Sequence, residues 1–435
     1  MADLRSGKRG GTRTRTLHHF HARSERASAL HGPCRCRRDW TKLPPDLAAE
    51  IAGRLLGVDL TEYIRFRSVC KPWRQSTEDP RGGLHSRFIP RNWVVPVNYL
   101  DRFRCNYVYG EDARKFRLLN VATGASLTHV EFPGELSGHR GMGYAEGLLV
   151  LWNKAASVVR LLNPLTHAVT DLPDFSSVVS EASPAALDGG AYQFRGFGVI
   201  DGGAGAAGTS PPTIVFFLDG EVPVIACIRL GEPRWALVDT SELDRGISFS
   251  SALSLRGRFY MATSAGDVLA VELHPKPSGW RATAATKPTA TAPPATTTTR
   301  PFFEFFLVPS GNDHGAGMLM VRASRVRQQV EVFEVDVDEG KLVPSSTVGA
   351  DRAVFIGSTR ALSISTRLFP SIAANAVYFC TGSRSMDLLF YIVHLDTGWG
   401  EPARLPFSDQ GPFVDPCNLD VYLAWSIDTL QVLAM

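Results

Sequence analysis

Two stretches of the chain are close copies: FRLLNVATGASL, beginning at Phe116, and VRLLNPLTHAVT, beginning at Val159, lie 43 residues apart. Each reads as a strand, a turn at Asn-x-x-Thr, and a return strand. The same shape recurs more loosely at ACIRLGEPRW from Ala226, LAVELHPKPSGW from Leu269, VFEVDVDEGKL from Val332 and YIVHLDTGWG from Tyr391, at offsets of 67, 43, 63 and 59 residues. Two of the longer offsets contain low-complexity stretches, the Gly/Ala-rich Asp201 to Ser210 and the Thr/Ala/Pro run Arg281 to Arg300. Neither has the apolar content to offset the entropy of ordering, so both are expected to be surface loops between strands. A basic period near 43 residues suits the blades of a β-propeller, about 40 to 50 residues each. Six hairpins imply six or seven blades. An antiparallel sandwich would also yield hairpins and stays open on this evidence alone.

Short β-branched and aromatic runs support the β reading after Arg91: LLVLW from Leu148, TIVFFL from Thr213, VPVIACIRL from Val222, RFYMA from Arg258, VLAVEL from Val268, MLMVRAS from Met318, VEVFEVDV from Val330, NAVYF from Asn375 and LLFYIVHL from Leu388. Long helical patterns are absent there. Between Trp40 and Pro80 the period changes. Leu47, Ile51 and Leu55 recur at i, i+4 and i+8 behind Pro44, Pro45 and Asp46, which predicts an amphipathic helix ended by Gly57. Asp59 is placed to cap a second helix carrying Tyr63, Phe66, Val69 and Cys70, and Pro72 forces a restart into a short third piece that holds Trp73. Cys70 reads as a small core residue.

The charge is uneven. Residues 1–38 hold ten Lys/Arg against Asp3 and Glu25, a local +8, so a chain of formal charge +3 has a body of net −5. The tail is expected to be a disordered basic extension, with a localisation signal, a transit peptide or a nucleic-acid arm as its functional alternatives. Nucleic acid is not the expected partner of the folded body. The cysteines, seven and scattered, argue against a disulfide framework, and no Asn-x-Ser/Thr sequon or apolar leader occurs, so cytoplasm or nucleus is expected. No apolar run reaches the ~18 to 20 residues of a membrane span. Cys34-x-Cys36 is tighter than zinc spacing, so no metal and no cofactor are expected.

Trp40-x-x-Leu43-Pro44-x-Asp46-Leu47-x-x-Glu50-Ile51-x-x-Arg54-Leu55, followed by Arg65-Phe66-Arg67-Ser68-Val69-Cys70-Lys71-Pro72-Trp73-Arg74, closely resembles an F-box. The rest resembles plant F-box proteins that carry a KIB-type, kelch-like β-propeller. That likeness rests on Asp79-Pro80-Arg81-Gly82, Arg87-Phe88-Ile89-Pro90-Arg91-Asn92-Trp93, Arg160-Leu161-Leu162-Asn163-Pro164, and the order of Phe355-Ile356-Gly357-Ser358, Phe369-Pro370 and Asn375-Ala376-Val377-Tyr378. The expected layout is a basic tail over 1–38, an F-box over 39–80 and a propeller over 92–430 interrupted by the 281–300 loop. The resemblance implies a fold that is mainly β behind a three-helix F-box. It further implies a substrate-recognition subunit of an SCF-type ubiquitin ligase, in which Leu43, Pro44, Leu47, Ile51, Leu55, Val69 and Trp73 bind a Skp-type adaptor and, through it, cullin. Trp73 has a purely intramodular role as its alternative. The propeller would bind a protein target whose contact residues the sequence does not identify.

Enzyme readings find little footing. No Walker A run, His-Glu-x-x-His, Cys-x-x-Cys or Gly-x-Ser-x-Gly occurs, and Gly196-Phe197-Gly198 lacks a third glycine and a following helix. His139, Asp171, His274 and His394 are the scattered groups that would have to converge near a propeller axis for catalysis. The competing non-enzymatic reading is an F-box interaction protein outside degradation, such as a scaffold or a nuclear regulator.

Overall fold

In the computed structural model the described residues are 39–94, 115–131, 133–136, 138–153, 158–175, 178, 193–200, 211–219, 224–240, 249–273, 280–285, 303–310, 317–324, 328–356, 361–369, 372–381 and 389–403. The basic tail, the Asp201 to Ser210 stretch, His274 and residues 286–300 of the Thr/Ala/Pro run lie outside them. The run does not begin as a loop: Arg281 to Ala284 belong to a strand, Trp280–Ala284.

Three helices lie where the 3.6-residue spacing places them: α1 (Pro45–Val58), α2 (Leu60–Val69) and α3 (Lys71–Gln75). Gly57 does not end α1, contrary to expectation. The helix runs to Val58, and the stop comes from Asp59, whose extended backbone (φ −164°, ψ 144°) closes α1 and N-caps α2. Its Oδ1 accepts from the Thr61 N–H at 2.7 Å, a cap worth about 1 kcal/mol. Cys70 sits half-buried at the α2–α3 junction in extended conformation rather than in the core. The helices pack around Ala48, Ala52, Leu60, Tyr63, Phe66 and Phe88.

Beyond Arg91 the described elements are strands, apart from a 3-10 turn at Gly134–Leu136 and a helical residue at Val178. A first sheet holds β1 (Trp93–Val94), β2 (Lys115–Asn120) and β3 (Ser126–Glu131). A second holds β4 (Arg140–Ala145), β5 (Leu148–Asn153), β6 (Val158–Leu162) and β7 (Val169–Leu172) in sequence order. Next come β8 (Gln193–Ile200), β9 (Thr213–Asp219), β10 (Val224–Arg229) and β11 (Ala236–Asp239). They are followed by β12 (Phe249–Leu255), β13 (Arg258–Thr263), β14 (Val268–Leu273) and β15 (Trp280–Ala284). Parallel pairing of Val238 with Trp280 joins these two four-strand groups at their last strands. A further sheet holds β16 (Glu304–Pro309), β17 (Met318–Ser324), β18 (Gln329–Asp336) and β19 (Lys341–Ser345). The last holds β20 (Arg352–Ile356), β21 (Ala361–Ser365), β22 (Ala376–Thr381), β23 (Leu389–His394) and β24 (Trp399–Ala403), ordered β21-β20-β22-β23-β24.

The six hairpins read from the sequence are β2–β3, β6–β7, β10–β11, β14–β15, β18–β19 and β23–β24, the closing pair of each group. Strand alternation explains why the apolar runs are nearly unbroken. In β5, Leu149 and Leu151 pack with Trp93 and Leu118 of the first sheet, while Leu148 and Val150 face Phe197, Ile214 and Phe216 of the next group. In β13, Phe259 and Met261 point back to Val215 and Phe217, and Tyr260 and Ala262 point on to Phe305, Leu307 and Met320. Strands buried on both faces need no polar alternation, and a one-residue slip would exchange the two sets. A fifth cluster joins Phe306 and Leu319 to Val354 and Phe379, and a sixth joins Ala353, Phe355 and Tyr378 to Val94, Leu119 and Val121 of the first sheet. The succession therefore closes on itself. This is a mainly β molecule in a propeller arrangement.

Candidate docking site

Leu47, Ile51 and Val58 recur along α1 at spacings of four and seven, so they share one face, and that face, with Pro44 exposed at the helix entrance, is open to solvent. Leu47 is 48% exposed, Ile51 38%, Val58 60% and Val69 of α2 63%. Three of the expected contact residues behave differently. Leu43 and Leu55 are half-buried against the helical core, and so is Trp73, whose ring stacks on Phe66 at 4.4 Å while its Nε1–H donates to the Trp40 carbonyl at 3.0 Å. Trp40, 61% exposed, holds its own ring in solvent. Of the expected contact residues, Pro44, Leu47, Ile51 and Val69 present free surface; Leu43, Leu55 and Trp73 support it from within. Trp40 was not among the expected anchors, although it stands in the same motif.

The helices are fastened to the sheets by a polar joint. The Asp59 Oδ2 accepts from the Trp93 Nε1–H at 2.8 Å and from the Asn120 Nδ2, while Oδ1 caps α2. Asp59, Trp93 and Asn120 are all buried. Asn120 and Asn163 are the repeated Asn of the two copied turns, and they act alike. The Asn120 Oδ1 accepts from the Ala122 and Thr123 amides, the Asn163 Oδ1 from those of Leu165 and Thr166, which holds each turn. The amide NH2 of each is thereby left for the helical segment: Asn120 reaches Asp59, and Asn163 donates to the Phe88 carbonyl at 2.9 Å. Leu165, from the second turn, packs on the helical core. In the β4–β5 turn Gly147 (φ +74°) lies so close to Pro90 that a Cβ would overlap the Pro90 carbonyl.

A cavity of about 370 Å³ is lined by residues of all six strand groups and their approaches, among them Asn92, Glu146, Gly196, Ser254, Pro309 and Arg352. Only an axial position reaches all of them. His139, Asp171 and His394 do not line it. Asp171 pairs with Arg160 at 2.7 Å, and His394 lies 3.3 Å from Glu401. Both ring nitrogens of His139 are shielded and unpartnered, and burial first, then the Arg160 charge, pushes its pKa below the usual imidazole value. The Cys227 thiol, on β10 and buried in the cluster that holds Val215 and Met261, is pushed well up by burial. Among the described residues no group of three or more His, Cys, Asp or Glu is gathered to hold a metal ion, and no helix is long and apolar enough to cross a membrane.

An F-box protein of Arabidopsis thaliana is 42% identical over 62 residues, 14% of this chain and 14% of that protein, so the match spans only a small part of either. Among solved structures, the WD40 domain of SCAP from fission yeast matches 71% of this chain and 64% of its own length at 12% identity and a TM-score of 0.28. The fission yeast SREBP-SCAP binding domains match 71% and 77% at 12% identity and 0.31. The model of the KIB1-4 beta-propeller matches residues 114–403, from the strand that opens the first copied hairpin to the end of β24. That span is two thirds of the chain, and the chain belongs to the KIB1-4 beta-propeller family.

Proposed function

We propose that this chain is the substrate-recognition subunit of an SCF-type ubiquitin ligase, with α1–α3 as an F-box that docks to a Skp-type adaptor. The observation that carries the reading is the open apolar face of α1, on which Leu47 and Ile51 remain unpacked although the helices have a core of their own. Large exposed apolar side chains on a short helical segment are what a partner would cover. The motif from Trp40 to Arg74 and the partial match to an F-box protein support the same assignment.

On this reading each strand group is one blade, six in all, with β1 standing in for the opening strands of the first. The helices dock on the end of the ring that bears the β4–β5 and β6–β7 turns, through Gly147 and Asn163. A protein target would then be held at the opposite end, while the ubiquitin transfer itself is done by other subunits.

The test is recovery of adaptor and cullin with the tagged full-length chain, wild type against Leu47→Ala/Ile51→Ala. Both side chains are partly in solvent and neither belongs to the helical core, so the double variant should fold as the wild type does while recovering about tenfold less adaptor or lower still. Failure of the wild type to recover adaptor, or undiminished recovery by the variant, would refute the reading. Proximity labelling with and without residues 39–80 would then name a target as a protein labelled by both forms and more abundant only with the truncated one.

A further inference from the structure

Among the described residues, the axial cavity contains a guanidinium with no carboxylate to meet it. Arg352, at the start of β20, donates from Nε to the Ser363 Oγ at 2.8 Å and from Nη2 to the Ser363 carbonyl at 3.1 Å. Ser363 thus fixes the plane of the fork from one side, and among the described residues Nη1 has no acceptor. The adjacent acid, Asp351, is taken by Arg367 at 2.9 Å. The other arginine of the lining, Arg91, is matched: its Nε meets the Glu146 Oε2 at 3.0 Å and its Nη1 the Ser86 carbonyl at 3.1 Å. Among the described residues the cavity therefore carries one balanced ion pair and one unbalanced cation. Burial pushes the Arg352 pKa below the usual guanidinium value, the Asp351 charge pulling the other way, yet a guanidinium keeps its proton in any protein setting. A charge held in that condition gains from an anion that can approach it away from bulk water.

The remaining wall mixes polar and apolar groups. Phe197, Phe217, Leu253 and Leu362 contribute to it, and the Ser254 hydroxyl, whose oxygen accepts from the Val199 amide at 3.2 Å, keeps its hydrogen free to donate. A space of about 370 Å³ is at the small end of ligand pockets, ~300 to 1,000 Å³. One unmatched positive charge calls for one negative charge; a dianion would leave an uncompensated charge in a partly dry site. The planar fork suits a carboxylate.

We propose that the axial cavity binds a small organic monocarboxylate, its carboxylate paired with Arg352 and its apolar body against Phe197, Phe217, Leu253 and Leu362. The inference uses no property of the helical segment and stands whether or not the adaptor reading does.

The experiment is calorimetric titration of the full-length chain with 2-naphthoate, hexanoate and benzoate, with 2-naphthamide as the neutral isostere of the first and inorganic phosphate as the apolar-free anion. At least one carboxylate should bind, and 2-naphthoate, if it is that one, should exceed 2-naphthamide by ~10- to 100-fold, the worth of a charge-assisted pair. Arg352→Gln should erase the preference for the carboxylate over its amide, and Arg352→Lys should keep part of it. Should the Arg352 variants fail to fold, Ala122→Trp provides the second route. Ala122 is an exposed cavity-lining residue, so the indole should occupy the space and block binding with Arg352 intact. Binding of no carboxylate at millimolar concentration, equal binding of acid and amide, binding unchanged in Arg352→Gln or Ala122→Trp, or tighter binding of phosphate would each overturn the proposal.

Discussion

Replacing Asp59 by Asn changes one atom's role and should undo the joint between helices and sheets. The Asn Oδ1 can still accept from the Thr61 amide and keep the α2 cap, but the group that replaces Oδ2 becomes an NH2. It then faces the Trp93 Nε1–H and the Asn120 NH2, two buried donors that have no second acceptor in the joint. Leaving a buried donor unsatisfied costs about 1 to 3 kcal/mol, so the two together put the loss near ~3 kcal/mol, while turning the amide over would satisfy the donors and sacrifice the cap, ~1 kcal/mol, with a poorer acceptor. The smaller of these sets the floor and the larger the ceiling, an acceleration of opening between about 5- and 150-fold. Hydrogen exchange of the α1 and α2 amides reads it directly, because undocking opens those helices locally without unfolding the sheets. Asp59→Ala, which loses the cap and both acceptor contacts, should exchange fastest. Equal protection in all three proteins would refute the joint; a defect in Asp59→Ala alone, with Asp59→Asn like wild type, would reduce Asp59 to a helix cap.

Gly147→Ala should lower the urea midpoint more than Gly124→Ala, since both positions have positive φ (74° and 73°) but only the first adds a clash, with the Pro90 carbonyl; the clash puts the extra cost at about 1 to 3 kcal/mol. For His139 the folded pKa is depressed, so the unfolded chain takes up a proton first, near pH 6.5, and stability is lost as the pH falls below that value. Melting temperatures of wild type and His139→Gln between pH 7.5 and 5 should converge on acidification, and parallel curves would disprove the assignment. Trp40→Ala should reduce adaptor recovery while leaving the melting temperature within about a degree of wild type, because its ring touches solvent rather than core.

Much of the β architecture was legible because each hairpin repeats a local signal: apolar runs of strand length around a turn with Asn-x-x-Thr, Gly or Asp. What those hairpins do in the fold was not legible, since pairing fixes only neighbours; that all six are the last two strands of their groups depends on contacts between groups. The return strand of the fourth hairpin was legible only as far as Trp280; the rest of β15 lies in a Thr/Ala/Pro run whose composition resembles a loop, but Thr283 and Ala284 pair with Ala270 and Leu269, and partnership outweighed composition. Gly57 looked like a helix stop; Asp59 two residues on supplies a better one, because it caps the next helix at the same time. For the docking face, the i, i+4 spacing identified the stripe but not which of its members point outward. Leu55 and Leu47 share a periodic pattern, and only the packing of α2 and α3 separates them. Asn120, Asn163 and Arg352 escaped notice as site residues because their roles lie in partners 61, 75 and 11 positions away.

The cluster that joins the last sheet to the first has a consequence in time. Val121 waits for Ala353 and Tyr378, which leave the ribosome more than 200 residues later, an interval of about 10 to 50 s at ordinary rates of synthesis. Throughout it the chain carries an unfinished apolar flank. The helices do not share that delay, for Trp93, Asn120 and Asn163 are all made early, so the docking face can be seated while the ring is still open. If α1 docks a partner as proposed, a transcript cut short before Tyr378 would yield a protein that keeps the docking face yet cannot complete the domain behind it, a competitor of the full-length product.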